Sequence, residues 1–185
     1  MTNSVLPPEL QELIDRQRIH QCIVNYCSGI DRFDRELVKS VYHPDAIDDH
    51  GAFVGTADEF IDWALAYHAK YQHHHKHYLL NHRCELDGDT AHTETYWIFS
   101  GKNKIGPALS LSGGRYLDRF ERRDGRWAIA ARKCVIEWNG TLAEVDMPQR
   151  NLDAYAATGV PLRDKNDPSY ERPLKITRDK FVLPF

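Results

Sequence analysis

The sequence predicts an α+β domain in which a strongly curved antiparallel sheet packs on helices to form a cone-shaped, half-open barrel. Three observations carry that prediction. Apolar residues recur at helical spacing through the first third of the chain, and from about His77 the period changes from 3.6 to 2. Gly113-Gly114 then lies inside one of the long strand segments, where it invites a bend or bulge.

The first helix is read from Ile19, Cys22, Ile23, Tyr26, Cys27 and Ile30, the i, i+3, i+4, i+7 stripe of an amphipathic helix. Leu10, Leu13 and Ile14 extend it upstream, Pro7 and Pro8 set its start near Pro8, and it ends between Gly29 and Phe33. Asp34 caps a shorter helix over Arg35 to Val41, whose apolar face is Leu37 and Val41 and which Pro44 stops. Thr56 and Glu59 form a capping box, after which Phe60, Ala64, Tyr67 and Tyr71 line one face of a second long helix.

Four strand segments follow: about His77 to Leu86, Ala91 to Ser100, Ala108 to Arg122 and Arg126 to Trp138. Asp87-Gly88-Asp89, the Lys102 to Pro107 stretch and Asp124-Gly125 separate them as turns, giving a three-hairpin meander. The domain spans residues 1–140, and residues 141–185 form an extended, proline-rich arm with one short helix after Pro148. Its apolar end, Phe181-Val182-Leu183-Pro184-Phe185, calls for cover by a neighbouring subunit or the pocket mouth, so a homo-oligomer, dimer or trimer, is expected.

Bulk composition excludes several function classes. With 185 residues, 42% of them hydrophobic, the chain can bury a sizeable core but not two ordinary domains. The net charge of -3, with acidic and basic residues interspersed, leaves no positive face for nucleic acid. No segment approaches the roughly 20 apolar residues of a membrane span, and the N-terminus lacks a signal-peptide pattern, so a cytoplasmic location is expected. Cys22, Cys27, Cys84 and Cys134 show no CxxC spacing and fall in apolar segments, as reduced thiols do.

On a helical wheel Tyr26 sits at the centre of the apolar stripe and Asp31 at its edge. A carboxylate near a helix C-terminus is opposed by the macrodipole by roughly 0.3 to 1 kcal/mol, so Asp31 either caps or pairs locally with Arg32 or Arg35, or has a donor partner inside the fold. His73, His74, His75 and His77 cluster where helix meets strand, which leaves two readings. One is a metal site on the face shared by His73, His75 and His77, for which no acidic ligand can be located. The other is a single histidine directed into a pocket as a base, the rest being solvated. No metal and no cofactor is expected. Ser110 and Ser112 lack a nucleophile elbow, Gly113-Gly114 lacks the context of a phosphate loop, and Asp48, Asp49, Asp87 and Asp89 read as solvated turn residues.

The stretch from Tyr26 through Asp31 to Asp34, a histidine opening a strand, and Gly113-Gly114-Arg115-Tyr116 running on to Asp124-Gly125-Arg126-Trp127 together resemble the SnoaL-like branch of the nuclear transport factor 2-like (cystatin-like) superfamily. The resemblance covers about residues 8–140. It implies the cone-shaped barrel and, by similarity to members such as scytalone dehydratase, hexachlorocyclohexane dehydrochlorinase and bile-acid 7-alpha-dehydratase, a cofactor-free lyase with an aspartate-oriented histidine. Asp31 and His77 then occupy the dyad positions and Tyr26 that of a pocket tyrosine. Phe99 stands where the bile-acid enzyme has a second aspartate, and Ile136 stands near its arginine. Arg115 or Arg132 is a candidate replacement, against the alternative of a solvent-facing strand arginine.

The implied function is elimination of the dehydratase type, or a related isomerisation, on an apolar cyclic or polycyclic molecule. His77 is the base, Asp31 fixes its tautomer, and Tyr26 donates to the developing oxyanion. Trp63, Tyr67, Tyr96, Trp97, Phe99, Tyr116 and Trp138 are candidate wall residues, with Arg115 and Ile136 beside them. Two alternatives stay open: an aldol cyclase or ketosteroid-type isomerase with Asp31 as base, and a non-catalytic subunit like those of ring-hydroxylating dioxygenases.

Overall fold

The computed structural model describes residues 6–182. Helix α1 runs Pro8–Arg32, opening with proline at its first position and closing at Phe33, whose left-handed backbone (φ 55) returns its N–H to the carbonyls of Gly29 and Ile30. Ile19, Ile23, Tyr26, Cys27 and Ile30 are its buried stripe, and Asp31 is buried at the edge. Helix α2, Arg35–Ser40, begins at Asp34, whose side chain accepts from the Leu37 N–H. Its buried contacts are Val38 and Val41 rather than Leu37 and Val41, a one-residue rotation of the predicted face.

Two strands then appear where the sequence reading placed none: β1, Tyr42–Asp49, and β2, Val54–Thr56. Their inward side chains explain the miss. In β1 the buried positions are Tyr42, His43, Ala46 and Asp48, whereas Ile47 is 46% exposed, so the hydrophobic alternation that marks a half-buried strand is largely absent. Helix α3, Ala57–Tyr71, opens with both halves of the Thr56/Glu59 capping box.

The four predicted strands are β3 (Gln72–Asp87), β4 (Thr90–Asn103), β5 (Leu109–Arg123) and β6 (Arg126–Leu142), joined as an antiparallel meander. The sheet order is β2-β1-β6-β5-β4-β3, with β1 parallel to β6, so β1 and β3 lie far apart across one open, curved sheet. The curl has local causes: register shifts interrupt β3 between Leu79 and His82 and β5 between Gly113 and Gly114. A Cβ on Gly114 would sit 1.9 Å from the Val135 carbonyl oxygen, so only glycine permits that approach of β5 to β6. Helices α1 and α3 pack into the concave side, where Ile19, Ile23, Phe60, Ile61, Phe120 and Ile129 are fully buried.

Beyond β6 the described chain forms one short α-helix, α4 (Gln149–Ala156), directly after Pro148, and a single 3-10 turn at Pro168–Tyr170. It then returns over the C-terminal end of α1. There Asp34 accepts from Tyr170 Oη at 3.0 Å and pairs with Lys165, Arg32 Nε lies 3.0 Å from Asp167, and the Arg163 guanidinium stacks 4.3 Å from the Phe33 ring. Of the apolar end, Phe181 and Val182 are exposed, and Leu183-Pro184-Phe185 lie outside the described residues.

Candidate active site

A cavity of about 370 Å³ opens between the concave face of the sheet and α1 and α3, a size usual for small-molecule sites. Tyr26, His50, Phe60, Trp63, Tyr67, His68, His77, Trp97, Phe99, Tyr116 and Ile136 line it. Its walls are mostly aromatic. Five of the predicted wall residues are therefore brought together with Ile136, and β-strand alternation explains those that are not. Tyr116 and Trp97 point inward, which turns their neighbours Arg115 and Tyr96 to the opposite face.

Arg115 is thus not a pocket residue. Its guanidinium pairs with Glu94 and Glu137, each at 2.6 Å, near the protein surface. Trp138 also lies off the cavity, packed over Gly113. Arg132 does not face solvent either. It is buried in a two-pronged pair with Asp118, at 2.7 and 2.8 Å, with its guanidinium 4.1 Å from the Tyr26 ring and 4.2 Å from that of Tyr116. Burial works against this charge, and Asp118 with Tyr42 and Tyr26 more than offsets it, holding Arg132 well above its usual range.

Asp31 and His77 meet from α1 and β3. Asp31 Oδ1 lies 2.7 Å from His77 Nδ1 and Oδ2 accepts the His77 backbone N–H at 3.1 Å. Both side chains are nearly buried, 9% and 8% exposed. A carboxylate at Nδ1 assigns the proton of neutral His77 to that nitrogen, leaving Nε2 as the acceptor. Asp31 itself does not line the cavity; it stands behind the imidazole. Tyr26 lies edge-on to His77, ring centroids 6.5 Å apart, and its hydroxyl has no hydrogen-bond partner among the described residues. Burial raises its phenol well above the ordinary range, so it remains a donor.

The rest of the histidine cluster is not uniformly solvated. His73 is exposed and His74 half-buried, but His75 is 2% exposed and stacks on His68 at 4.0 Å. Burial pushes His68 down to about 4 and His75 further, so both are neutral near neutral pH. Asp31, His75 and His77 offer ligand atoms within 4.8 Å of one another. Two of those atoms are already engaged, His77 Nδ1 with Asp31 and His75 Nε2 with the Ile30 carbonyl at 3.2 Å.

A SnoaL-like domain profile matches residues 11–133. The chain belongs to the SnoaL-like family. This SnoaL-like protein is similar to a solved hexachlorocyclohexane dehydrochlorinase of type 2, at 22% identity and TM-score 0.70 over 76% of this chain and 97% of that one. A type-3 dehydrochlorinase from Novosphingobium barchaimii gives TM-score 0.67 at 20% identity, covering 76% and 98% of the two chains. A candidate scytalone dehydratase from Novosphingobium aromaticivorans gives 0.64 at 14%, covering 72% and 91%. Such identities establish the fold. A search of curated proteins finds no match. No described helix is long and apolar enough to cross a membrane.

Sequence reasoning missed two further histidines of this SnoaL-like pocket, His68 and His50, and the second of these is held by a carboxylate. Asp48 is fully buried, not solvated in a turn: Oδ1 lies 2.6 Å from His50 Nδ1, and Oδ2 accepts from Tyr42 Oη at 2.7 Å. The spacing Asp48-Asp49-His50 is the only sequence trace of this pair. Without β1 to bury Asp48, that spacing reads as a turn.

Proposed function

We propose that this protein is a cofactor-independent lyase, or a closely related isomerase, that removes a proton from an apolar cyclic or polycyclic small molecule. The single observation that carries the reading is the 2.7 Å Asp31–His77 hydrogen bond at the wall of an aromatic cavity. His77 Nε2 takes a proton from carbon next to a carbonyl, and the C–H pair becomes the new π bond as a leaving group departs from the neighbouring carbon. Asp31 stabilises the imidazolium so formed and fixes its ring. Tyr26 donates to the oxyanion. Structural similarity to a dehydrochlorinase and a candidate dehydratase supports elimination as the reaction class. Asp31 as base fits less well, because both of its oxygens are occupied by His77 and neither reaches the cavity. The working form is a cytoplasmic homo-oligomer, supported by the exposed apolar residues of the arm and outer sheet.

The test uses 1-indanone, a bicyclic apolar ketone without a leaving group, in deuterium oxide. Wild-type protein should exchange its α-hydrogens by NMR, and His77→Gln should slow exchange by about 10²- to 10⁴-fold. Equal exchange by wild type and His77→Gln would overturn the assignment of the base.

A further inference from the structure

We infer that His50, held by Asp48, is the general acid of the pocket, protonating the leaving group while His77 removes the proton. The inference rests on the proposed elimination and adds a second proton-transfer residue to it.

Three observations carry it. His50, directly after β1, reaches the same cavity as His77 but from the opposite end of the sheet, since β1 and β3 are separated by β6, β5 and β4. Its ring stacks on Phe60 at 4.4 Å and leans on Tyr116 at 6.1 Å, and both of those rings pack against Tyr26, which in turn faces His77. The two imidazoles therefore flank one aromatic centre. With Nδ1 of each tied to a buried carboxylate, each offers Nε2 for chemistry.

Each pair sits against buried groups of its own. Around His50 the buried groups are two carboxylates, Asp48 and Asp118, and one guanidinium, Arg132, linked through the Tyr42 hydroxyl that donates to Asp48 and lies 3.5 Å from Arg132. Burial raises the Asp118 carboxyl within that cluster, with Arg132 opposing the shift. The other acid-base groups on this wall add no competing cation among the described residues: Tyr26, Tyr42 and Tyr116 are phenols raised well above their usual range by burial. His77 faces a different set, the neutral His68 and His75, with Asp31 as its one carboxylate partner. With two such pairs at opposite edges of one cavity, and His77 the base of the proposed elimination, His50 is placed to give the proton that the leaving group needs.

In the reaction the C–H bond breaks toward His77 Nε2 and its electron pair forms the C=C bond. The bond to the leaving oxygen breaks with its pair on oxygen, and that oxygen takes the proton from His50 Nε2. The step ends with His77 charged and His50 neutral, and exchange with water restores both.

The test is the elimination of 3-aryloxy-1-indanones. His50→Gln should lose about 10²-fold on phenoxide, a poor leaving group, and several-fold less on 4-nitrophenoxide, which departs without protonation. Equal losses on both, with 1-indanone exchange still dependent on His77, would sink His50 as the acid and leave the lyase reading standing. If exchange does not depend on His77, the lyase reading itself falls.

Discussion

Asp31 grips His77 twice, accepting from its ring nitrogen at 2.7 Å and from its backbone N–H at 3.1 Å. The two bonds fix both where β3 docks on α1 and how the imidazole is turned. The proposed catalytic geometry and a tertiary contact are here the same pair of oxygens, which makes the two roles separable only by measurement of rate and stability together.

If the two residues act as a unit, Asp31→Asn and His77→Gln should each lower 1-indanone exchange by about 10²- to 10⁴-fold, and the double variant should lose little more than either single one. Additive losses would mean independent roles.

Gly114→Ala should destabilise the fold by about 1–3 kcal/mol or more, because the new methyl would meet the Val135 carbonyl oxygen, a backbone atom that cannot step aside. Gly140→Ala meets nothing within 4 Å and should stay within about 0.5 kcal/mol of wild type. Urea denaturation compares them directly.

Arg132→Met alone leaves Asp118 buried without its partner and should cost about 3–5 kcal/mol. Combining it with Asp118→Leu should recover most of that loss in the same denaturation assay. A double variant no better than the single would show that the stacking of Arg132 between Tyr26 and Tyr116, rather than its charge, holds this region.

Acid should weaken the fold well above the carboxylate range. His68 is held neutral by burial, with its pKa lowered to about 4, while in the unfolded chain it protonates near 6.5. The unfolded state therefore binds the extra proton first as pH falls, so stability declines from about 6.5 down to about 4, by at most about 3 kcal/mol from this group. Buried His75 acts in the same direction. A pH series of melting temperatures should show the slope, and His68→Gln should flatten it.

Asp34 serves two structures, the N-terminus of α2 through Leu37 and the returning arm through Lys165 and Tyr170. Asp34→Ala should cost about 0.5–2 kcal/mol as a lost cap and, in addition, raise protease cleavage within residues 157–172. Intact resistance of that segment would show that Arg32–Asp167 and Arg163 suffice to hold it.

The sequence by itself determined α1, the capping box of α3 and the four-strand meander, because each rests on a local period or a local hydrogen bond that the chain carries in consecutive residues. It also turned Asp31 inward, since helical geometry fixes angles over a few turns. Only the tertiary structure decided what those residues meet. Strand β1 is invisible locally because its inward residues Tyr42, His43 and Asp48 are polar, and they are buried only by partners from β5, β6 and the His50 loop. The sandwiched Arg132, the outward turn of Arg115 and the burial of His75 are likewise set by which strand lies alongside. Burying a polar group becomes favourable only when a distant group satisfies it, and no local pattern records that distance.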